Sequence, residues 1–112
     1  MKIRDVAALV GGKVLCCEDK IDREIYSACS SDMMSDVLAF VHDQGLLITG
    51  LVNPQVVRTA EMMDMYCIVI VRGKQPDKVM LDLAKEKGII FITTERTMFE
   101  TAGLLYKAGL KS

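Results

Sequence analysis

The sequence predicts an α/β domain of three layers, with a mostly parallel sheet built from repeated strand–helix units. Three observations predict it. Unbroken apolar runs rich in branched residues occupy residues 46–50 (LLITG), 67–71 (CIVIV) and 89–93 (IIFIT). Unbroken rather than alternating runs describe strands buried on both faces, as parallel strands are. The runs begin 21 and 22 residues apart, and each leads through a turn into apolar residues at helical spacing. That order is a repeated βα unit.

The first half of the chain is less regular. Residues 3–10 predict a short helix stopped at Gly11-Gly12. Residues 13–17 and 24–29 are short strand candidates separated by the polar segment 18–23. Ser30, Ser31 and Asp32 then precede a helix whose apolar face is Met33, Val37, Phe40 and Val41, with Gly45 at its end.

The repeated units are better marked. After the first run, Asn53-Pro54 supplies a cap and a first-turn proline, and Val56, Val57, Ala60 and Met63 recur at helical spacing. Residues 72–77 make the next turn; Val79, Met80, Leu83 and Ala84 form the following face, closed by Gly88. Thr94 or Thr97 caps a last helix carrying Met98, Phe99, Ala102, Leu105 and Tyr106, with Gly109 at its end. Right-handed crossovers place successive helices on one face of the sheet unless the strand order reverses.

Composition bounds the function. A chain of 112 residues has room for one domain, read here as residues 1–112. At this size folding buries roughly 60 to 70% of the extended chain's surface. The hydrophobic share of 51% is high and the charged share of 26% is ordinary, so the apolar excess fills a core, a subunit interface, or both. A net charge of −1 with acids and bases interspersed offers no footprint for nucleic acid. The apolar runs are far shorter than the ~20 residues that cross a bilayer. The opening MKIRDVAALVGGK carries Asp5 within a brief apolar stretch and does not read as a signal peptide.

Cys16, Cys17, Cys29 and Cys67 show no CxxC spacing, and with His42 as the single histidine they do not make a zinc site. They read as reduced thiols of a cytoplasmic protein, small hydrophobes in its interior. The helix methionines read as adaptable core filling, or in part as a subunit interface. No cofactor motif, Walker loop or GxSxG elbow occurs.

Candidate binding residues gather at turns. Residues 28–36 (ACSSDMMSD) place Cys29, Ser30, Ser31 and Asp32 between a strand and a helix start, where free N–H groups and the helix dipole can hold an anion. The same residues also fit plain capping by Ser31 or Asp32. Ligands of open parallel sheets bind beyond the carboxyl ends of the strands. Those positions are Thr49, Gly50 and Asn53 after the first run, Arg72, Gly73 and Lys74 after the second, and Thr93 and Thr94 after the third. Basic and hydroxyl groups on one rim suit a small anionic ligand, while turn chemistry and solvation account for the same residues without one. Catalysis finds less support. Cys29, with Ser30 and Ser31, is the one nucleophile cluster, and the only candidate base, His42, stands near the far end of the following helix, ~15 Å away.

Three segments, ACSSDMMSDVLAF, LLITGLVNPQVVRTAEMMDMYCIVIVRGK and GIIFITTERTMFETAGLLYKAG, resemble stand-alone members of the DRTGG domain family over roughly residues 10–110. Residues 29–38 are the most telling. Related domains accompany CBS-containing inorganic pyrophosphatases and some phosphate acetyltransferases, and the fold is similar to the N-terminal domain of HPr kinase. The resemblance implies a bacterial regulatory module, homodimeric, with an adenine nucleotide or similar anion as ligand, or a regulatory protein as partner. It implies no kinase chemistry, because that belongs to a separate P-loop domain. The letters that name the family fall here on Val52-Asn53 and Val71-Arg72-Gly73, of which Gly73 alone agrees.

Overall fold

Strand burial on both faces, the basis of the fold expectation, holds in the computed structural model. It describes residues 1–40 and 45–112, with Phe40 described by its backbone. Five strands, β1 (Lys13–Val14), β2 (Ala28–Ser30), β3 (Leu46–Thr49), β4 (Cys67–Ile70) and β5 (Ile90–Thr93), form one sheet in the order β1-β5-β4-β3-β2. β2 to β5 are parallel neighbours in chain order, and β1 joins β5 antiparallel. The helices are α1 (Ile3–Val10), α2 (Met34–Phe40), α3 (Gln55–Met62), α4 (Lys78–Lys87) and α5 (Met98–Lys107).

Strand order without reversal keeps the crossover helices together, as the handedness rule requires. α2, α3 and α4 line one face, while α1 and α5 cover the other. Each central strand feeds both layers. Leu47, Ile68, Ile70 and Phe91 point to α2–α4; Leu46, Ile48, Val69, Ile90 and Ile92 point to α1 and α5. All are essentially inaccessible to water. Burial of side chains this size stabilises by about 1.5–3 kcal/mol each, which is why the runs carry no polar alternation.

Helix ends follow local chemistry. Asp77 accepts from the Met80 N–H at 2.8 Å to start α4, and Thr97 with Glu100 forms a capping box for α5. Asn53 Oδ1 accepts from the Gln55 N–H at 2.8 Å at the start of α3. Gly88, at φ 71°, ends α4 in the left-handed region that glycine enters without penalty.

Several expectations are corrected. The strand expected over 13–17 is confined to Lys13–Val14, although the Leu15 N–H still donates to the Phe91 carbonyl at 2.8 Å. The strand expected over 24–29 is displaced to Ala28–Ser30, because residues 24–27 bond instead to both chain ends, the Ile25 N–H to the Met1 carbonyl and Ser27 in a bridge to Lys111. Met33 is exposed and Met34 takes the inward position, since α2 starts one residue later than the pattern suggested. Val79, Phe99 and Tyr106 face water rather than the core. Thr94 does not cap α5; its hydroxyl donates to the Val10 carbonyl at 2.7 Å. Val41 and His42 lie outside the described residues, as does the end of the helix that begins with α2.

Candidate functional site

The carboxyl ends of β3 and β4 meet in one hydrogen-bonded cluster. Asp32, on the turn between β2 and α2, does not cap α2. Its Oδ1 accepts from the Gly50 N–H at 2.7 Å and from the Thr49 hydroxyl at 3.0 Å. The same Thr49 oxygen accepts from the Leu51 N–H at 3.1 Å, so this fully buried hydroxyl is satisfied in both roles. The Gly50 N–H holds the Asp32 carboxyl below the usual carboxylate range, with help from Thr49, Arg72 and Lys74 and against partial desolvation.

Two cations close over the turn. Arg72 adopts φ 60°, an uncommon conformation for a residue with a Cβ. Its N–H donates to the Arg96 carbonyl at 2.8 Å, and the Gly73 N–H donates to the Thr94 carbonyl at 2.9 Å, which fixes the turn. The guanidinium lies over Gly50, in the space a Cβ there would occupy, and its Nη2 stands 3.6 Å from Asp32 Oδ2. Lys74 Nζ donates to the Gly50 carbonyl at 2.9 Å. Both members of the Arg72–Asp32 pair remain nearly half exposed, so the pair itself adds well under about 1 kcal/mol.

The remaining candidate residues lie elsewhere. Ser31 makes a local turn, its hydroxyl oxygen accepting from the Met33 N–H at 3.0 Å. Cys29 and Ser30 line a separate cleft of about 330 Å³ between edge strand β2 and α5, with Tyr106 and Lys111 on its other wall. Gly73, Thr93 and Thr94 line a hollow of about 180 Å³ with Lys13 and Glu95. Asn53 is spent on the start of α3. Thus Asp32, Thr49, Gly50, Arg72 and Lys74 come together, and the other seven do not join them. Sequence reasoning missed Lys13 and Glu95. Lys13 reaches the rim only because β1 pairs antiparallel with β5, and no local pattern announces that pairing.

Cys16, Cys29 and Cys67 are poor nucleophiles. Burial pushes Cys29 and Cys16 up to about 11 and raises Cys67 further. His42, the only candidate base in the sequence, lies outside the described residues. Among the described residues no group of three His, Cys, Asp or Glu side chains is placed to hold a metal ion, and no helix is long and apolar enough to cross a membrane.

Comparison with known proteins gives a family and a fold. The family profile described as the DRTGG domain matches residues 5–108. The structure is similar to a crystal structure of the CBS and DRTGG domains of the regulatory region of Clostridium perfringens pyrophosphatase, complexed with its activator, diadenosine tetraphosphate. The TM-score is 0.77 at 16% identity, covering 97% of this chain and 47% of that one. This chain therefore spans about half the length of that neighbour, and at this identity the likeness is one of fold. No curated protein matches the sequence.

Proposed function

The chain belongs to the DRTGG domain family, and from that premise we propose that it is a non-catalytic regulatory module, homodimeric, that senses a small anionic ligand such as an adenine nucleotide. One observation carries the reading. Arg72 and Lys74 converge on the turn after β3, at the carboxyl edge where parallel sheets bind ligands. A guanidinium offers a fork of N–H donors suited to phosphate, and Arg72 remains half exposed while paired to Asp32. A phosphate that takes Arg72 from Asp32 weakens the tie between the β2–α2 turn and the turn after β4. Ligand occupancy is thereby converted into a change at the start of α2, a place where a partner domain or protein can read it. The neighbour's adenine-nucleotide activator supports that ligand class.

Thermal shift against ATP, diadenosine tetraphosphate, AMP and inorganic phosphate tests the reading. At a ligand concentration of about 100 Kd, linkage stabilises the native state by about 2.7 kcal/mol, a rise of several degrees for one compound class. Arg72→Ala abolishes the rise while leaving the unliganded melting point almost unchanged, since its ion pair is solvent-exposed. A flat response to all four compounds sinks the ligand reading. A second reading is an interaction module without a ligand of its own, favoured by the 88% exposure of Phe99 and 66% of Tyr106. It predicts that flat response together with a co-purifying protein.

A further inference from the structure

We propose that the outward face of α5 is the surface through which two copies of this chain join, packed antiparallel with Gly103 at the crossing point. The proposal rests on the homodimer in the reading above and assigns its interface. α5 turns Thr101 and Leu105 fully inward and leaves Phe99, Glu100, Gly103, Tyr106 and Lys107 outward. Phe99 is almost wholly exposed although its type belongs to cores and interfaces.

Gly103 sits in mid-helix, where glycine weakens a helix relative to alanine, and among the described residues outside its own helix nothing stands within 4 Å of a Cβ built there. Neither its conformation nor a neighbour among the described residues requires a glycine. A missing side chain on an outward face is what a second helix needs to approach closely. A groove of about 280 Å³ surrounds the position, walled by Arg96, Phe99, Glu100, Leu104 and Lys107.

The flanks of Gly103 are complementary to themselves. At 100° per residue, Phe99 and Tyr106 fall on one side of the Gly103 line, and Glu100 and Lys107 fall on the other. A two-fold axis at Gly103, perpendicular to both helices, sets residues of the same side against each other at mirrored heights. Phe99 of one copy then meets Tyr106 of its partner, and Glu100 meets Lys107, each contact occurring twice. Aromatic pairs on one flank and opposite charges on the other make a closed, isologous contact. A partner of another sequence has no reason to match both flanks at once. A second copy does.

Sedimentation equilibrium of the wild type, Phe99→Arg, Gly103→Leu and Lys107→Glu tests this. The wild type is a dimer, and each substitution raises the dissociation constant by about tenfold or more, as loss of a central contact does. Gly103→Leu is the sharpest variant, because open space and better helix propensity leave the monomer fold intact by circular dichroism. A wild type that stays monomeric up to millimolar concentration overturns both this interface and the homodimer proposed above. A dimer that survives Phe99→Arg and Gly103→Leu unchanged overturns the α5 surface and leaves the homodimer standing.

Discussion

The Asp32 carboxylate accepts from the Gly50 N–H at 2.7 Å, tying the turn after β2 to the end of β3. Together with the Thr49 hydroxyl and the nearby Arg72 and Lys74, this gives Asp32 the donors that would otherwise bind an external anion. The cluster is thus a filled anion cradle whose occupant belongs to the chain. Its loosest member is Arg72, and that is where a competing phosphate would enter.

Replacing Asp32 by alanine leaves the N–H of buried Gly50 and the buried Thr49 hydroxyl without their acceptor. An unsatisfied buried donor costs about 1–3 kcal/mol, so Asp32→Ala should lower the urea midpoint clearly. The pH dependence has a fixed sign. The folded carboxyl titrates below its unfolded value of about 3.9, so its contribution is fully present above that pH. It is lost as the pH falls through the lowered folded value. Urea titrations across the acid range should therefore show the two proteins converging below about pH 4. A constant gap between them contradicts the assignment.

Gly50→Ala acts through Arg72. A Cβ at Gly50 overlaps the guanidinium, the far end of a flexible side chain, which swings away from Asp32. The expected loss of stability is below about 1 kcal/mol, the scale of an exposed ion pair. Any nucleotide-induced thermal shift should fall with it, because the cation is no longer held over the turn. A loss as large as that of Asp32→Ala would mean that the backbone of β3 itself had moved.

Much of the fold was legible because burial on both faces forbids polar residues in β3, β4 and β5, and because Asp77, Thr97 and Gly88 mark helix ends by local chemistry. The site was less legible. Asp32 looked like a helix cap because a cap and a long-range acceptor are the same residue in the same place along the chain. Thr93 and Thr94 were grouped with Thr49, yet β4 lies between β5 and β3, two strand spacings or about 10 Å across. Phe99 and Tyr106 share the helical pattern of the last helix with buried Leu105, and periodicity identifies such a stripe without saying which molecule covers it.

Three of the thiols should be quiet. With Cys16 and Cys29 pushed up to about 11 by burial, the thiolate fraction near neutral pH falls about a hundredfold below that of an ordinary thiol. Cys67, fully buried at the centre of the sheet, is slower still. Labelling with a disulfide reagent should leave these three unmodified in the native protein and react with them fully in denaturant. Rapid native labelling of Cys29 would reopen the case for chemistry at the cleft beside β2.

Thr101 carries the opposite lesson from Thr49. Its side chain is fully buried under α5, and its Oγ1 has no hydrogen-bond partner among the described residues. An uncompensated hydroxyl opposes folding, and valine keeps the branched shape while replacing oxygen with a methyl group. Helix propensities of the two residues are close, so the backbone term nearly cancels. Thr101→Val should stabilise the protein by about 1 kcal/mol, raising the melting point by roughly 4–8 °C for a domain near this size. Because the residue points away from the outer face of α5, the dimer constant should not change. A lower melting point would show that the hydroxyl donates in solution, to a carbonyl one turn back such as that of Thr97, as threonine does inside helices.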